Sequence, residues 1–172
     1  QQISQIMQGL VNTYKESGWL PEWASPGHRD VMIGSNSAIN IADAYLKGIR
    51  GFDIETLYQA ALKNAEVAQG RPVNSVGRAG LEYYNTLGYV PYDSGIHENA
   101  ARTLEYAFAD FNLYKLATAL GKTEDALRFY QRSLNYRHLF DAESGWMRGK
   151  NKDGSFQTPF NPLKWGDAFT EG

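Results

Sequence analysis

Cysteine is absent from the 172 residues, which excludes disulfides, thiolate zinc sites and cysteine nucleophiles and leaves the compartment open. No run of 18 apolar residues occurs, so no membrane-spanning helix is expected. The opening QQISQIMQGLVNTYKESG has neither the basic stretch nor the small-residue cleavage pattern of a signal peptide. An excess of one charge is also lacking: 17 basic residues stand against 19 acidic ones, so nothing advertises nucleic acid or an anionic membrane as a partner. Histidine is scarce, and His28, His97 and His138 have no second His or Cys at zinc-ligand spacing. Gly-rich phosphate loops are missing, and the SNS near Gly34 lacks the flanking glycines of a serine nucleophile elbow.

What the chain does have is aromatic side chains and helical periodicity. Aromatics make up 13% of the residues, a share that suits a helix-packing core and sugar-stacking surfaces equally. In ISQIMQGLVNTY, Ile3, Ile6, Met7, Leu10, Val11 and Tyr14 form one apolar face, and Gly18 is placed to stop the helix. SAINIADAYLKGI and DIETLYQAALKNAEVA, the latter with Asp53 as N-cap, make a hairpin through a tight RGF link. A second hairpin joins HENAARTLEYAFADFNLYKLATAL to TEDALRFYQRSLNYRHLF, with Gly121 as C-cap and Thr123 as N-cap. Its first helix carries apolar stripes on more than one side, which predicts a place between layers. LYQAAL at 57–62 is echoed by FYQRSL at 129–134. The expected class is all-α, built of stacked helical hairpins. Residues 70–97 read as a connector around a short helix at LEYYNTL. Beyond Phe140, a KDGS turn between short segments predicts a small β-hairpin before an irregular end.

Two segments carry candidate chemistry. Asp167 and Glu171 are four apart beside Trp165 and Phe169. Apolar rings strip hydration from a carboxyl, raise its pKa and suit it to proton donation. The same spacing also fits Asp167 or Thr170 as the cap of a helix, with Glu171 in its first turn. The loop GWLPEWASPGHRDVMIGSNS gathers Trp23, His28, Arg29, Asp30 and Asn36 between helices. Trp23 is either a platform for a sugar face or a plug against the hairpins. Arg29 and Asp30 either bind hydroxyls or pair with each other. Glu105 and Asp110, on a mostly apolar helix, are expected to ion-pair with Arg102 or with another hairpin.

These segments resemble a known family. GWLPEWASPGHRDVMIGSNSAINIADAYLKGIRGFD, LGYVP, TLEYAFADF, NYRHLFDAESGWMRGKNKDGSF and PFNPLKWGDAFTEG are similar, in that order, to the catalytic region of glycoside hydrolase family 92, the calcium-dependent exo-acting α-mannosidases. The resemblance implies helical hairpins forming part of an (α/α)6 toroid and removal of terminal α-linked mannose, commonly α-1,2, with inversion. It makes Glu171, in FTEG, the general acid. It puts the base, a second carboxylate roughly 6.5–9.5 Å from the acid, outside this chain, together with the calcium ligands. Trp23, His28, Arg29, Asp30, Asn36 and Asp167 become the expected substrate-binding residues. The implied partners are a mannose-containing glycan and the rest of the catalytic domain, and the implied location is secreted or periplasmic. Two departures fall in the loop: Asn36 stands where many members carry His, and GHRD where many have an Asn-Glu-Thr-like run. The α-1,2 preference is therefore not carried over.

Twelve helices of about 11–12 residues plus loops need well over 172 residues, so residues 1–172 are expected to be a truncated catalytic domain. The alternative is a non-catalytic helical-repeat binding module. An open hairpin stack with the 19–37 loop far from residue 171 would favour the module, and both at one rim of a curved ring would favour the enzyme.

Overall fold

A computed structural model describes residues 1–23, 27–29, 32–70 and 76–169. Among the described residues, six α-helices precede a short antiparallel strand pair. Helix α1 (Gln2–Ser17) ends at Gly18, whose left-handed conformation lets its amide bond the Tyr14 carbonyl. Helix α2 (Asn36–Leu46) leads to α3 (Ile54–Glu66), where the Asp53 carboxylate accepts from the Thr56 amide as predicted. Helix α4 (Leu81–Leu87) matches LEYYNTL, and α5 (Asn99–Ala119) is followed by α6 (Thr123–Ser133).

Two expectations about these elements are corrected. Lys122, not Thr123, occupies the N-cap of α6, and no side chain caps that end. The strand pair is β1 (Phe140–Asp141) with β2 (Trp146–Met147), upstream of KDGS. Asp141 accepts from the Glu143 and Ser144 amides and Gly145 adopts φ 76°, so this turn is closed by its own side chain. The KDGS turn closes a single bridge, Lys150 with Phe156.

Helices α5 and α6 pair most extensively, and α2 lies against α5. Met7, Val11, Ile41, Leu57, Leu113, Leu116 and Phe129 meet in the main core. Alanines at 38, 42, 60, 61, 65 and 117 are buried there, letting the helices approach closely. The sequence echo survives as packing, since Leu57 and Phe129 are both fully buried. Helix α5 is indeed apolar on more than one side. It buries Leu113 and Leu116 while leaving Phe108 and Phe111 exposed.

Between α2, α4, α5 and α6 runs a buried ionic network. Arg78, from the connector, and Asp110 have no solvent-exposed side-chain surface, and Arg78 Nη2 lies 2.8 Å from Asp110 Oδ1. That approach is an ion contact whose angle falls short of a hydrogen bond. Asp110 Oδ2 accepts from Tyr84 Oη and Arg132 Nε, each at 3.0 Å. The Arg78 guanidinium lies over the Tyr106 ring, 4.8 Å from its centroid. Burial pushes the Arg78 pKa down, but the Asp110 carboxylate more than offsets this and the net shift is upward. Asp110 thus pairs with Arg132 of its own hairpin and with Arg78 of the connector, rather than with another hairpin as expected.

Candidate active site

The start of α5 organises the site. The first amides of an α-helix have no partner inside the helix. Here the Glu98 amide donates to the Asp167 carbonyl, and the Ala100 and Ala101 amides both donate to Ala168, all at 3.0 Å. The carboxy-terminal segment therefore caps α5 with its main chain. Asp167 adopts φ 72° to do so, a conformation Asp tolerates better than most residues.

The Asp167 side chain is engaged as well. Its Oδ2 accepts from Lys164 Nζ at 2.8 Å and from Tyr92 Oη and Gln157 Nε2 at 3.1 Å. The Lys164 bond, ahead of Tyr92 and Gln157, holds its pKa below the usual carboxylate range against the opposing effect of burial. The apolar setting therefore does not make Asp167 a proton donor: a lysine and two neutral donors outweigh the neighbouring rings. Glu171 lies outside the described residues, as does Asp30.

The loop before α2 reaches the same helix. Gly34, at φ 94°, packs so closely on α5 that a Cβ there would sit 3.1 Å from Glu105 Cβ and 3.3 Å from its Oε2. Glu105 follows Ala101 by four residues, so the two share a helix face about 6 Å apart along the axis. The expected partner Arg102 is instead committed to Glu98, at 3.4 Å, with the acid placed four residues before the base, the favoured order on a helix. Among the described residues nothing donates to the Glu105 carboxylate, and burial raises its pKa.

Of the other loop residues, Trp23 and Asn36 line one groove of about 550 Å³ between α1 and α2, together with Ile3, Ile6 and Glu22. Trp23 is 43% exposed. His28 instead contacts Ser17 Oγ through Nε2 at 3.0 Å, and burial lowers its pKa. Arg29 is exposed. Asn36 Nδ2 donates to the Ile33 carbonyl at 3.2 Å.

Glu22, which lines the same groove, is a candidate that the sequence reading missed. Its carboxylate accepts from the Ser37 amide at 3.0 Å and from Asn64 Nδ2 at 2.6 Å, and Ser37 Oγ also bonds the Pro21 carbonyl. Burial raises its pKa from 4.5 to about 7, against those two bonds and the Arg78 charge. The signal available was one carboxylate inside the otherwise apolar GWLPEW. No three His, Cys, Asp or Glu side chains converge on a metal position among the described residues.

The loop before α2 and the carboxy-terminal segment thus meet on the first turns of α5, and comparison with known proteins gives the class. The chain belongs to glycosyl hydrolase family 92: the family's catalytic-domain model matches residues 1–172. A family GH92 inverting mannosidase from Bacteroides thetaiotaomicron is 44% identical and superposes with a TM-score of 0.92 over 99% of this chain and 23% of its own. A family GH92 α-mannosidase from the same organism, solved with mannoimidazole, is 31% identical with a TM-score of 0.86, over 99% and 23%. An uncharacterised secreted glycosidase of Arthroderma benhamiae is 37% identical over 170 residues, covering 91% of this chain and 22% of its own length. The chain thus spans under a quarter of these relatives, and its hairpins form part of an (α/α)6 toroid.

Proposed function

We propose that this chain is part of the catalytic domain of an exo-α-mannosidase that removes terminal α-linked mannose from glycans with inversion. Glu171 protonates the departing glycosidic oxygen, and the base that activates water belongs to the rest of the domain. Trp23, His28, Arg29, Asp30, Asn36 and Asp167 are proposed to line or support the sugar pocket. Calcium is proposed as the cofactor, on family resemblance, with ligands elsewhere in the domain. The protein is proposed to be secreted or periplasmic, a reading supported by the secreted fungal relative. No helix among the described residues is long and apolar enough to cross a membrane.

The observation that carries this reading over a helical-repeat binding module is the meeting of two remote segments on α5. Ala168 caps its first turn, and Gly34 packs on Glu105 one turn further. An inverting enzyme needs its acid and its sugar-binding groups around one bond.

The test is an assay of the full-length protein on α-mannosides, following the first-formed anomer by NMR with and without a calcium chelator. Release of β-mannose, lost on chelation, is expected. Release of the α-anomer first, or no turnover of any mannoside, overturns the reading.

A further inference from the structure

We propose that Glu22 is a positioning residue for the sugar groove, its carboxylate holding Trp23 in register with the first turn of α2. This rests on the mannosidase reading above, with Trp23 as a wall of the pocket. Glu22, Trp23, Asn36 and Ser37 line one groove of about 550 Å³. Trp23 belongs to the start of the loop and Asn36 opens α2, so chain continuity alone does not set their separation. Ser37, next in α2, closes the gap: its amide donates to Glu22 Oε2 at 3.0 Å and its hydroxyl to the Pro21 carbonyl. That amide is one of the helix's unpaired donors, and the N-cap Ser35 makes no side-chain cap bond. Glu22 therefore caps α2 from a remote position, where the helix dipole favours a carboxylate.

The brace is anchored from α3. Asn64, buried there, accepts from the Leu20 amide at 3.4 Å and donates to the Leu20 carbonyl at 3.0 Å. Those bonds fix which end of its side-chain amide faces Glu22, and Nδ2 donates to Oε1 at 2.6 Å. Both Glu22 oxygens thus meet N–H donors. An ionised carboxylate suits that arrangement, whereas a protonated one must place its hydrogen on an oxygen already facing an N–H. Burial pushes the Glu22 pKa up to about 7 against these bonds. Among the described residues Arg78 is the charge that bears on it. Asp43 and Lys47, charged groups further along the groove, pair with each other at 2.8 Å. The brace on Trp23 is complete when Glu22 is ionised and loosened when it is protonated.

The test measures kcat and KM of the full-length protein on 4-nitrophenyl α-mannoside at about pH 5.5 and about pH 8, for wild type, Glu22→Gln, Trp23→Ala and the double variant. A glutamine side chain has the shape of the protonated acid, the form that predominates in wild type at the lower pH. At the higher pH Glu22→Gln should raise KM about three- to tenfold with kcat nearly unchanged, the pattern of lost uniform binding. At the lower pH the two proteins should converge. On the Trp23→Ala background the Glu22→Gln penalty should vanish, because the two residues act as one unit. A penalty of equal size at both pH values shows a structural role and overturns the proposal. No penalty at the higher pH, or one that persists in full without Trp23, also overturns it. If melting curves show Glu22→Gln unfolded, wild type decides alone: its KM should fall as pH rises between the two values, and a flat or rising KM overturns the proposal. Wild type that turns over no mannoside sinks the functional reading and this proposal together, whereas turnover without the pH-dependent penalty sinks this proposal alone.

Discussion

The carbonyl of Ala168 accepts from the amide of Ala101 at 3.0 Å, so the carboxy-terminal segment is the cap of α5 rather than a loose end. The same helix receives Gly34 one turn later. Residues more than 130 positions apart by number are thereby held at one helix terminus, where the positive end of the dipole favours carboxylates.

Gly34 is required for that closure. Gly34→Ala places a Cβ 3.1 Å from Glu105 Cβ at φ 94°, and the left-handed backbone alone costs about 1–2 kcal/mol for a residue with a side chain. The expected outcome is a lower melting temperature and weaker mannoside turnover in the full-length protein. An unchanged melting temperature would show that the loop does not press on α5.

The Arg78–Asp110–Arg132 network is buried and anchors the connector beneath the site. Asp110→Asn removes the carboxylate that ion-pairs with the buried Arg78 and with Arg132, and breaking such a pair costs about 3–5 kcal/mol. Chemical denaturation of the variant checks this, and a loss below about 1 kcal/mol contradicts the assigned burial.

Glu22 gives stability a pH dependence of definite sign. Its pKa rises on folding from 4.5 to about 7, chiefly through burial. Between those values the folded chain binds a proton that the unfolded chain has released, so stability falls as pH rises from 4.5 towards 7. Full ionisation above 7 costs on the order of 3 kcal/mol relative to pH 4. Glu22→Gln should flatten this slope between pH 5 and 7.5. A parallel slope in both proteins would assign the effect to another group.

Much of this was legible locally. The α4 boundaries, the Gly18 stop and the Asp53 cap follow from residues within one turn of each other, and the family resemblance lies in contiguous motifs. What was not legible depends on remote partners. Arg78 meets Asp110 across 32 residues, and Glu22 meets Asn64 across 42, so neither burial nor pairing has a local sign. Asp167 failed as a proton donor because Tyr92, 75 residues away, and Gln157 join Lys164 on its carboxylate. The strand pair fell at AESG rather than KDGS because Asp141 closes its own turn.

The exposed apolar face on α5 and beyond has a consequence for the isolated segment. Phe108, Phe140 and Trp146 are each at least 50% exposed, and they border grooves that also include Leu104. A contiguous surface of this kind marks an interface. Residues 1–172 alone should bind a hydrophobic dye, self-associate and hydrolyse no α-mannoside. Turnover by the isolated segment would contradict both the partial-domain assignment and the external base.

Glu171→Gln in the full-length protein tests the central claim most directly, by comparing kcat/KM on an α-mannobiose with that on 2,4-dinitrophenyl α-mannoside. A general acid matters only where the leaving group needs a proton. The disaccharide should therefore lose roughly 10²–10⁴-fold, while the activated substrate keeps most of its rate. An unchanged rate on the disaccharide, or equal losses on both, would contradict the role assigned to Glu171.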